Sequence, residues 1–146
     1  TPGVGHCLMR IEQEQLENVR LCQEDAVELL KHKFADHGLD EIRLFFPDPW
    51  PKKKHHKRRI INPAFAHLIS RKLRPGGRLH FATDWAPYAD WALEVLEACP
   101  SLRNIAGPGQ FMARPENRLV TKFERRGERL KQFSQDLIFE TVNGGA

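Results

Sequence analysis

An aspartate between two prolines is the most chemically suggestive feature of this sequence. It lies in the stretch FFPDPW, Phe45–Trp50, after an alternating apolar run that predicts a strand. The prolines restrict the backbone on both sides, so Asp48 and Trp50 should keep a fixed geometry just past the strand end. A carboxylate can accept hydrogen bonds from base N–H groups, and an indole offers a stacking face. The pattern favours a nucleobase pocket, and the simpler alternative is a stiff turn with a solvated aspartate.

A dense basic segment, Lys52–Arg59, follows this turn. All of its residues are Lys, Arg or His, while the whole chain has a formal net charge of only +4. Such a local patch is typical of contact with a polyanion, and a phosphate backbone held here would carry its base within reach of Trp50. A solvated charge run or a localisation tract is the alternative. Because His55 and His56 are adjacent, they are poorly placed to chelate one ion, and we predict no metal site.

Two further aspartates follow predicted strands. Asp25 precedes a helical pattern with Glu28 three residues later, which is the spacing of a capping box. The sequence leaves open whether Asp25 only caps this helix or also binds a ligand. Asp84 has the same ambiguity, although Trp85 beside it repeats the aspartate-and-tryptophan arrangement of the first motif and favours a shared pocket.

Strand and helix patterns alternate along the chain and must position these acids. The predicted strands are Val19–Cys22, a strand through Ile42, Leu44 and Phe46, Arg78–Ala82, a possible strand Leu102–Ala106, and Asp136–Glu140. The predicted helices are a weak one over Cys7–Ile11, then Ala26–Ala35, one whose apolar face runs from Ile61 to Leu73 with Asn62-Pro63 near its start, Tyr88–Cys99 and Leu119–Leu130. The alternation predicts an α/β fold, a mostly parallel sheet with helices on both faces. Asp25, Asp48 and Asp84 would then converge on one edge of that sheet.

Absent motifs argue against a serine hydrolase, an NTPase and a dinucleotide-binding protein. The serines, Ser70, Ser101 and Ser134, lie outside any G-x-S-x-G elbow, and there is no P-loop. Gly3-Val4-Gly5 lacks the preceding strand and the third glycine of a dinucleotide-binding turn. The 3 cysteines show no CxxC spacing, which fits a reducing compartment. Without a bilayer-length apolar run or the pattern of a signal peptide, we expect a soluble, cytoplasmic protein without a membrane partner.

Taken together, these motifs resemble the bacterial tRNA (guanine-N7)-methyltransferase family. The resemblance rests on FFPDPWPKKKHHKRR, PGVGHCL, the ATDW of Ala82–Trp85, and RPENRLVTKFERRG from Arg114, and it spans almost the whole chain. It implies a Rossmann-like class I methyltransferase fold, S-adenosyl-L-methionine as cofactor and tRNA as partner. The implied reaction methylates N7 of a guanosine in the tRNA variable loop and forms 7-methylguanosine. A monomer is expected.

The resemblance also implies roles for individual residues. Asp48 matches the family's catalytic acid, which also lies near the cofactor, and Asp25 matches the acid on the adenosyl part. Lys52 and Asp84 match substrate-binding positions. Further substrate-binding positions match Thr121, Lys122, Phe123 and Glu124. The family's RNA-contacting segment matches Lys54, His55, His56, Lys57, Arg58 and Arg59.

One part of the family pattern is missing. The family begins with a strand, a glycine-rich E-x-G-x-G turn and a second strand with a ribose-binding acid, and this sequence contains none of them. A sheet without these inner strands would leave apolar faces bare, so we expect residues 1–146 to form a single methyltransferase domain that is incomplete at its N-terminus. Two other functions stay open: methylation of an exocyclic amine, and a non-catalytic RNA-binding module.

Overall fold

The computed structural model describes residues 2–113 and 134–142. The helices are α1 (Pro2–Gln13), α2 (Ala26–Lys33), α3 (Pro63–Lys72) and α4 (Ala86–Glu97), and a 3₁₀ helix covers Lys53–Arg58. The strands are β1 (Leu39–Phe45), β2 (Leu73–Thr83), β3 (Leu102–Asn104) and β4 (Gln135–Thr141). The predicted α/β fold is therefore confirmed. The helix predicted over Leu119–Leu130 lies outside the described residues.

The described strands form one open sheet in the order β1-β2-β4-β3. β1 and β2 are parallel, whereas β4 is antiparallel to both of its neighbours, β2 and β3. Consequently β1, β2 and β3 run in one direction, as a mostly parallel sheet requires. Because β4 lies between β2 and β3 and runs the other way, most of the pairings among the described strands are nevertheless antiparallel, which the sequence pattern did not predict.

The predicted strand Val19–Cys22 is wrong. This stretch has no regular structure, and Val19 and Leu21 are 37% and 40% exposed. A strand needs a hydrogen-bonded neighbour, and no strand of the described sheet pairs with this stretch. Asp25 therefore follows an irregular segment, and only Asp48 and Asp84 follow strands.

Side-chain caps begin the two helices that follow irregular segments. Asp25 Oδ1 accepts the Glu28 N–H at 3.1 Å and starts α2. Asn62 Oδ1 accepts the Phe65 N–H at 2.9 Å and starts α3, with Pro63 in the first turn. Each cap satisfies a backbone donor that has no partner within the helix. The predicted starts of both helices are confirmed, while α2 ends two residues earlier than predicted.

Alternate side chains of the sheet face the main core. Those on one face pack with α3 and α4 around residues that include Leu79, Phe81, Leu137 and Phe139. On the opposite face, His80 and Asp136 are also buried, at 2% and 1% exposure. That helices cover this second face stays a prediction. No helix in the described part of the chain is long and apolar enough to span a bilayer.

Candidate functional site

The parallel pairing of β1 and β2 brings Asp48 and Asp84 to the same edge of the sheet. Phe45 lies opposite Ala82 in the ladder, and the Phe46 N–H donates to the Ala82 carbonyl at 2.8 Å. Asp48 and Asp84 follow the carboxyl ends of these strands, and both are exposed. Ligands of open α/β sheets bind at this edge, so the two carboxylates are placed where a ligand could meet both.

The turn Pro47–Trp50, here called the PDPW turn, has a strained backbone. Asp48 Oδ1 accepts the Trp50 N–H at 2.9 Å. Phe46 and Trp50 have φ angles of 53° and 43°, in the left-handed region that disfavours bulky side chains. Such residues cost about 1–3 kcal/mol each and persist only when the surrounding structure holds them. The geometry of Asp48 therefore depends on what holds this turn.

Arg59 lies beneath the PDPW turn rather than on the surface. It is only 2% exposed, and its Nε–H donates to the Pro49 carbonyl at 2.7 Å. Its guanidinium lies over the rings of Tyr88 and Trp91, 5.0 and 5.2 Å from their centroids. Nη2 is buried without a hydrogen-bond partner in the described part of the chain. Burial lowers the pKa of Arg59, yet an arginine remains a cation at neutral pH.

Tyr88 and Trp91 of α4 both form hydrogen bonds with the segment that follows Arg59. The Ile61 N–H donates to the Tyr88 hydroxyl at 3.3 Å, and Trp91 Nε1–H donates to the Ile61 carbonyl at 2.7 Å. Burial raises the pKa of Tyr88, and the Asp48 carboxylate acts in the same direction. A neutral phenol and a buried cation therefore lie close to the candidate catalytic acid.

The other cations of the basic segment are exposed to solvent. This group comprises Lys52, Lys53, Lys54, Lys57 and Arg58. His55 and His56 are half-buried, and His56 Nε2 lies 3.2 Å from the Pro51 carbonyl oxygen. Arg58 lies 5.2 Å from the centroid of the Trp50 ring, and the His55 ring lies 5.7 Å from it. The structure thus joins an exposed basic surface to the PDPW turn and places Arg59 apart from it.

The remaining predicted site residues lie elsewhere. Asp25 is exposed at the start of α2, where it acts as a cap; its contact with a cofactor stays a prediction. Thr121, Lys122, Phe123 and Glu124 lie outside the described residues. Within residues 2–113 and 134–142, no group of three or more His, Cys, Asp and Glu side chains could hold a metal ion.

Sequence reasoning missed the environment formed by Tyr88 and Trp91. The two residues are three positions apart on one helix; Tyr88 was assigned only to its apolar face, and Trp91 was given no role. A usable signal was present, because Arg59 directly precedes Ile60-Ile61, where the chain must turn from a charged surface into the core.

Comparison with known proteins shows a close match to methyltransferases. A family model described as "Putative methyltransferase" matches residues 1–137. A Pseudomonas aeruginosa protein named tRNA (guanine-N(7)-)-methyltransferase is 56% identical over 142 residues, 97% of this chain. Proteins of the same name from Halorhodospira halophila and Alcanivorax borkumensis are each 54% identical, over 94% and 95% of this chain. The chain spans 58–60% of the length of these three relatives.

Proposed function

This chain belongs to the methyltransferase family whose model it matches, and we propose that it transfers a methyl group from S-adenosyl-L-methionine to N7 of a guanosine in the tRNA variable loop. The product is 7-methylguanosine. The relatives' names support the reaction. The observation that carries the proposal is the strained PDPW turn, which holds an exposed carboxylate at the edge of the sheet beside an exposed basic surface. A tRNA substrate also suits the cytoplasmic location expected from the sequence.

The acids at this edge fit the charge of the proposed cofactor. S-adenosyl-L-methionine has a sulfonium and an ammonium group, and it supplies an electrophilic methyl group when bound. Asp48 and Asp84 are exposed at the ends of adjacent parallel strands, where a cationic ligand gains from nearby carboxylates. We assign Asp48 to the cofactor as well as to catalysis, and Asp25 to the adenosyl part.

Methylation of guanine N7 needs orientation more than proton removal. N7 has a lone pair in the ring plane, so it forms the new N–C bond as the S–C bond breaks, without first losing a proton. Asp48 therefore has no proton to abstract. In this proposal its carboxylate orients the purine and stabilises the positive charge that the base gains, both of which lower the barrier in a desolvated site.

The basic segment is assigned to the tRNA backbone. Arg58, one of its exposed cations, lies over the Trp50 ring, so a phosphate bound there would place a base near Asp48. Of the predicted RNA contacts, Lys54, Lys57 and Arg58 offer exposed charge, and His55 and His56 lie between them. We also assign substrate contacts to Lys52 and Asp84, and to Thr121, Lys122, Phe123 and Glu124, as the family resemblance implies.

The decisive experiment incubates the full-length protein with labelled S-adenosyl-L-methionine and unmodified tRNA, then maps the modified nucleotide. We expect label at N7 of a variable-loop guanosine. Asp48→Ala should lower kcat about 100-fold or more, the usual scale for losing one group that stabilises transition-state charge. The Kd for tRNA should change little, because the phosphate contacts remain.

Other outcomes separate the alternatives. Label on an exocyclic amine would identify the second kind of methyltransferase. If calorimetry detected no binding of S-adenosyl-L-methionine while tRNA still bound, the protein would be an RNA-binding module. Equal losses of turnover and tRNA affinity in Asp48→Ala would contradict the role given to Asp48.

A further inference from the structure

Arg59 differs physically from its neighbour Arg58, although both end the same basic segment. Arg58 is exposed, whereas Arg59 is 2% exposed. Removing a cation from water is costly unless the site compensates it. Within the described residues no carboxylate forms an ion pair with Arg59; its contacts are two aromatic rings and one carbonyl. A side chain in this state is unsuited to meeting a phosphate at the surface.

The carbonyl that Arg59 binds belongs to the residue next to Asp48. Pro49 has no N–H, so the carbonyl is its only polar backbone group. Arg59 Nε–H donates to it at 2.7 Å. The residues on either side of the Pro47-Asp48-Pro49 stretch, Phe46 and Trp50, have positive φ. The bond from Arg59 thus acts on a strained turn, at the position nearest to the candidate catalytic acid.

The aromatic rings that contact Arg59 are themselves held by hydrogen bonds. Tyr88 and Trp91, which flank the guanidinium, belong to α4, and both hydrogen-bond the backbone of Ile61. The Arg59 carbonyl itself accepts a hydrogen bond from Asn62 Nδ2 at 3.2 Å. The backbone and the side chain of Arg59 are therefore both held, and a displacement of the PDPW turn would have to break either the Arg59–Pro49 hydrogen bond or a contact between Arg59 and α4.

We propose that Arg59 is a positioning residue: through the Pro49 carbonyl it fixes the PDPW turn, and with it Asp48, against Tyr88 and Trp91 of α4. It does not contact tRNA phosphates as the exposed cations of the basic segment do. The consequence for methyl transfer rests on the proposed function, because Asp48 is assigned its catalytic role there. The consequence for the geometry of the turn holds independently of it.

The kinetic test compares Arg59→Met and Arg59→Lys with Arg58→Met in the full-length protein. Misplacing a reacting group slightly can cost up to about 100-fold in rate, so both Arg59 variants should lose about 10- to 100-fold in kcat. Their tRNA affinity and its dependence on salt should stay close to wild type. Arg58→Met should instead lower the salt slope by roughly 0.7–0.9, as expected when one phosphate contact is lost. Arg71→Met, on the surface of α3, controls for the loss of an arginine.

A second measurement does not require activity. The Trp50 N–H, which donates to Asp48 Oδ1, reports on the turn by amide hydrogen exchange. In Arg59→Met it should exchange at least about 10-fold faster than in wild type, while amides of β2 keep their protection. If Arg59→Met does not fold, Arg59→Lys serves instead, because lysine keeps the charge but cannot reproduce the fixed Nε–H donor.

Two results would overturn the proposal. One is an Arg59 variant with normal kcat and a reduced salt slope, which would make Arg59 a phosphate contact. The other is unchanged Trp50 exchange in a folded Arg59 variant. If the wild-type protein transferred no methyl group but Trp50 exchange still rose in the variants, the proposed function would fail while the positioning role held.

Discussion

At the scale of single residues, the type of a side chain does not determine its role in this molecule. Arg58 and Arg59 are adjacent and chemically identical, yet one covers Trp50 in solvent and the other is buried between Tyr88 and Trp91. Tyr88 shows the same dependence on surroundings. It packs in the core as an apolar ring, while its hydroxyl satisfies the buried Ile61 N–H. The Tyr88 hydroxyl thus has a specific task in the core, which is to accept this N–H.

Tyr88→Phe tests that task. The substitution leaves the Ile61 N–H buried without its acceptor, so unfolding at neutral pH should cost about 1–3 kcal/mol less than in wild type. Burial also raises the pKa of Tyr88 above its usual 10.0. The folded state therefore holds the phenol proton more tightly than the unfolded state does. The stabilisation of the fold that results is complete below pH 10, the usual pKa, and is lost as pH rises through the folded pKa.

The variant should accordingly lose less stability than wild type above pH 10. Denaturant unfolding at pH 7 and in the alkaline range measures both effects. Tyr88 is the only tyrosine in this sequence, so the difference in tyrosinate absorbance between wild type and variant reports its titration. A midpoint at or below pH 10 in the folded protein would contradict the argument.

At the scale of elements, short polar segments join the helices to the sheet and carry the candidate site. Asp25 caps the start of α2 and Asn62 caps the start of α3, each through a side-chain oxygen that accepts a backbone N–H. Asn62 has a structural role in this arrangement, whereas Asp25 has both a structural role and a proposed cofactor contact. The cap is a sufficient reason for an aspartate at this position. A test of the cofactor contact therefore needs a substitution that keeps the cap.

Asp25→Asn and Asp25→Ala together separate the capping role of Asp25 from its proposed cofactor contact. Asparagine caps about as well as aspartate, whereas alanine loses about 1 kcal/mol of stability. If Asp25 binds the adenosyl part, both variants should bind S-adenosyl-L-methionine about 10-fold more weakly, since a lost charged hydrogen bond has roughly that effect. Calorimetry and denaturant unfolding provide the two readouts.

Asn62→Ala is the matched control for a lost cap. It should lower stability by at least a similar amount, because it also removes the Nδ2–H donor to the Arg59 carbonyl. Its cofactor affinity should fall less than that of Asp25→Asn, because Asn62 has no assigned contact with the cofactor. Normal cofactor affinity in Asp25→Asn would leave Asp25 as a cap alone.

At the scale of the whole molecule, the sheet is held together on both faces. The apolar core lies on the α3 and α4 side. On the other face, His80 of β2 and Asp136 of β4 are joined by a contact of 2.6 Å between Nε2 and Oδ2. The ring of His80 also meets the Phe45 ring of β1, with centroids 4.8 Å apart. One buried side chain therefore links three strands, including the antiparallel β4.

His80→Ala tests this link. It leaves the buried Asp136 side chain without its histidine partner, and removing one partner of a buried hydrogen bond typically costs about 1–3 kcal/mol, or more when the group left behind is charged. We expect denaturant unfolding to show a loss of about that size. Arg103→Ala is the control, because Arg103 pairs with Glu140 at the surface, 65% exposed, where such pairs contribute about 1 kcal/mol or less. Similar losses in the two variants would show that the His80–Asp136 contact contributes little.

The sequence by itself determined the features that depend on neighbours along the chain. Asp25 and Asn62 predicted helix starts, Pro47 predicted the end of β1, and apolar periodicity predicted most of the described helices and strands, because caps, prolines and side-chain spacing act within a few residues. The same reasoning identified the PDPW turn and the basic segment. It also placed Asp48 and Asp84 at one edge of the sheet, since consecutive strands of a βαβ unit are parallel.

Only the tertiary structure decided the features that depend on distant partners. Val19–Cys22 has the pattern of a strand but pairs with none of the described strands, and the direction of β4 is a property of its neighbours in the sheet. Arg59 belongs by sequence to an exposed charge run, yet its burial is set by Tyr88 and Trp91, about thirty residues further along the chain. Strand pairing and desolvation are long-range interactions. A local pattern such as Ile60-Ile61 after Arg59 can indicate that a side chain is buried, but it cannot identify the distant partners.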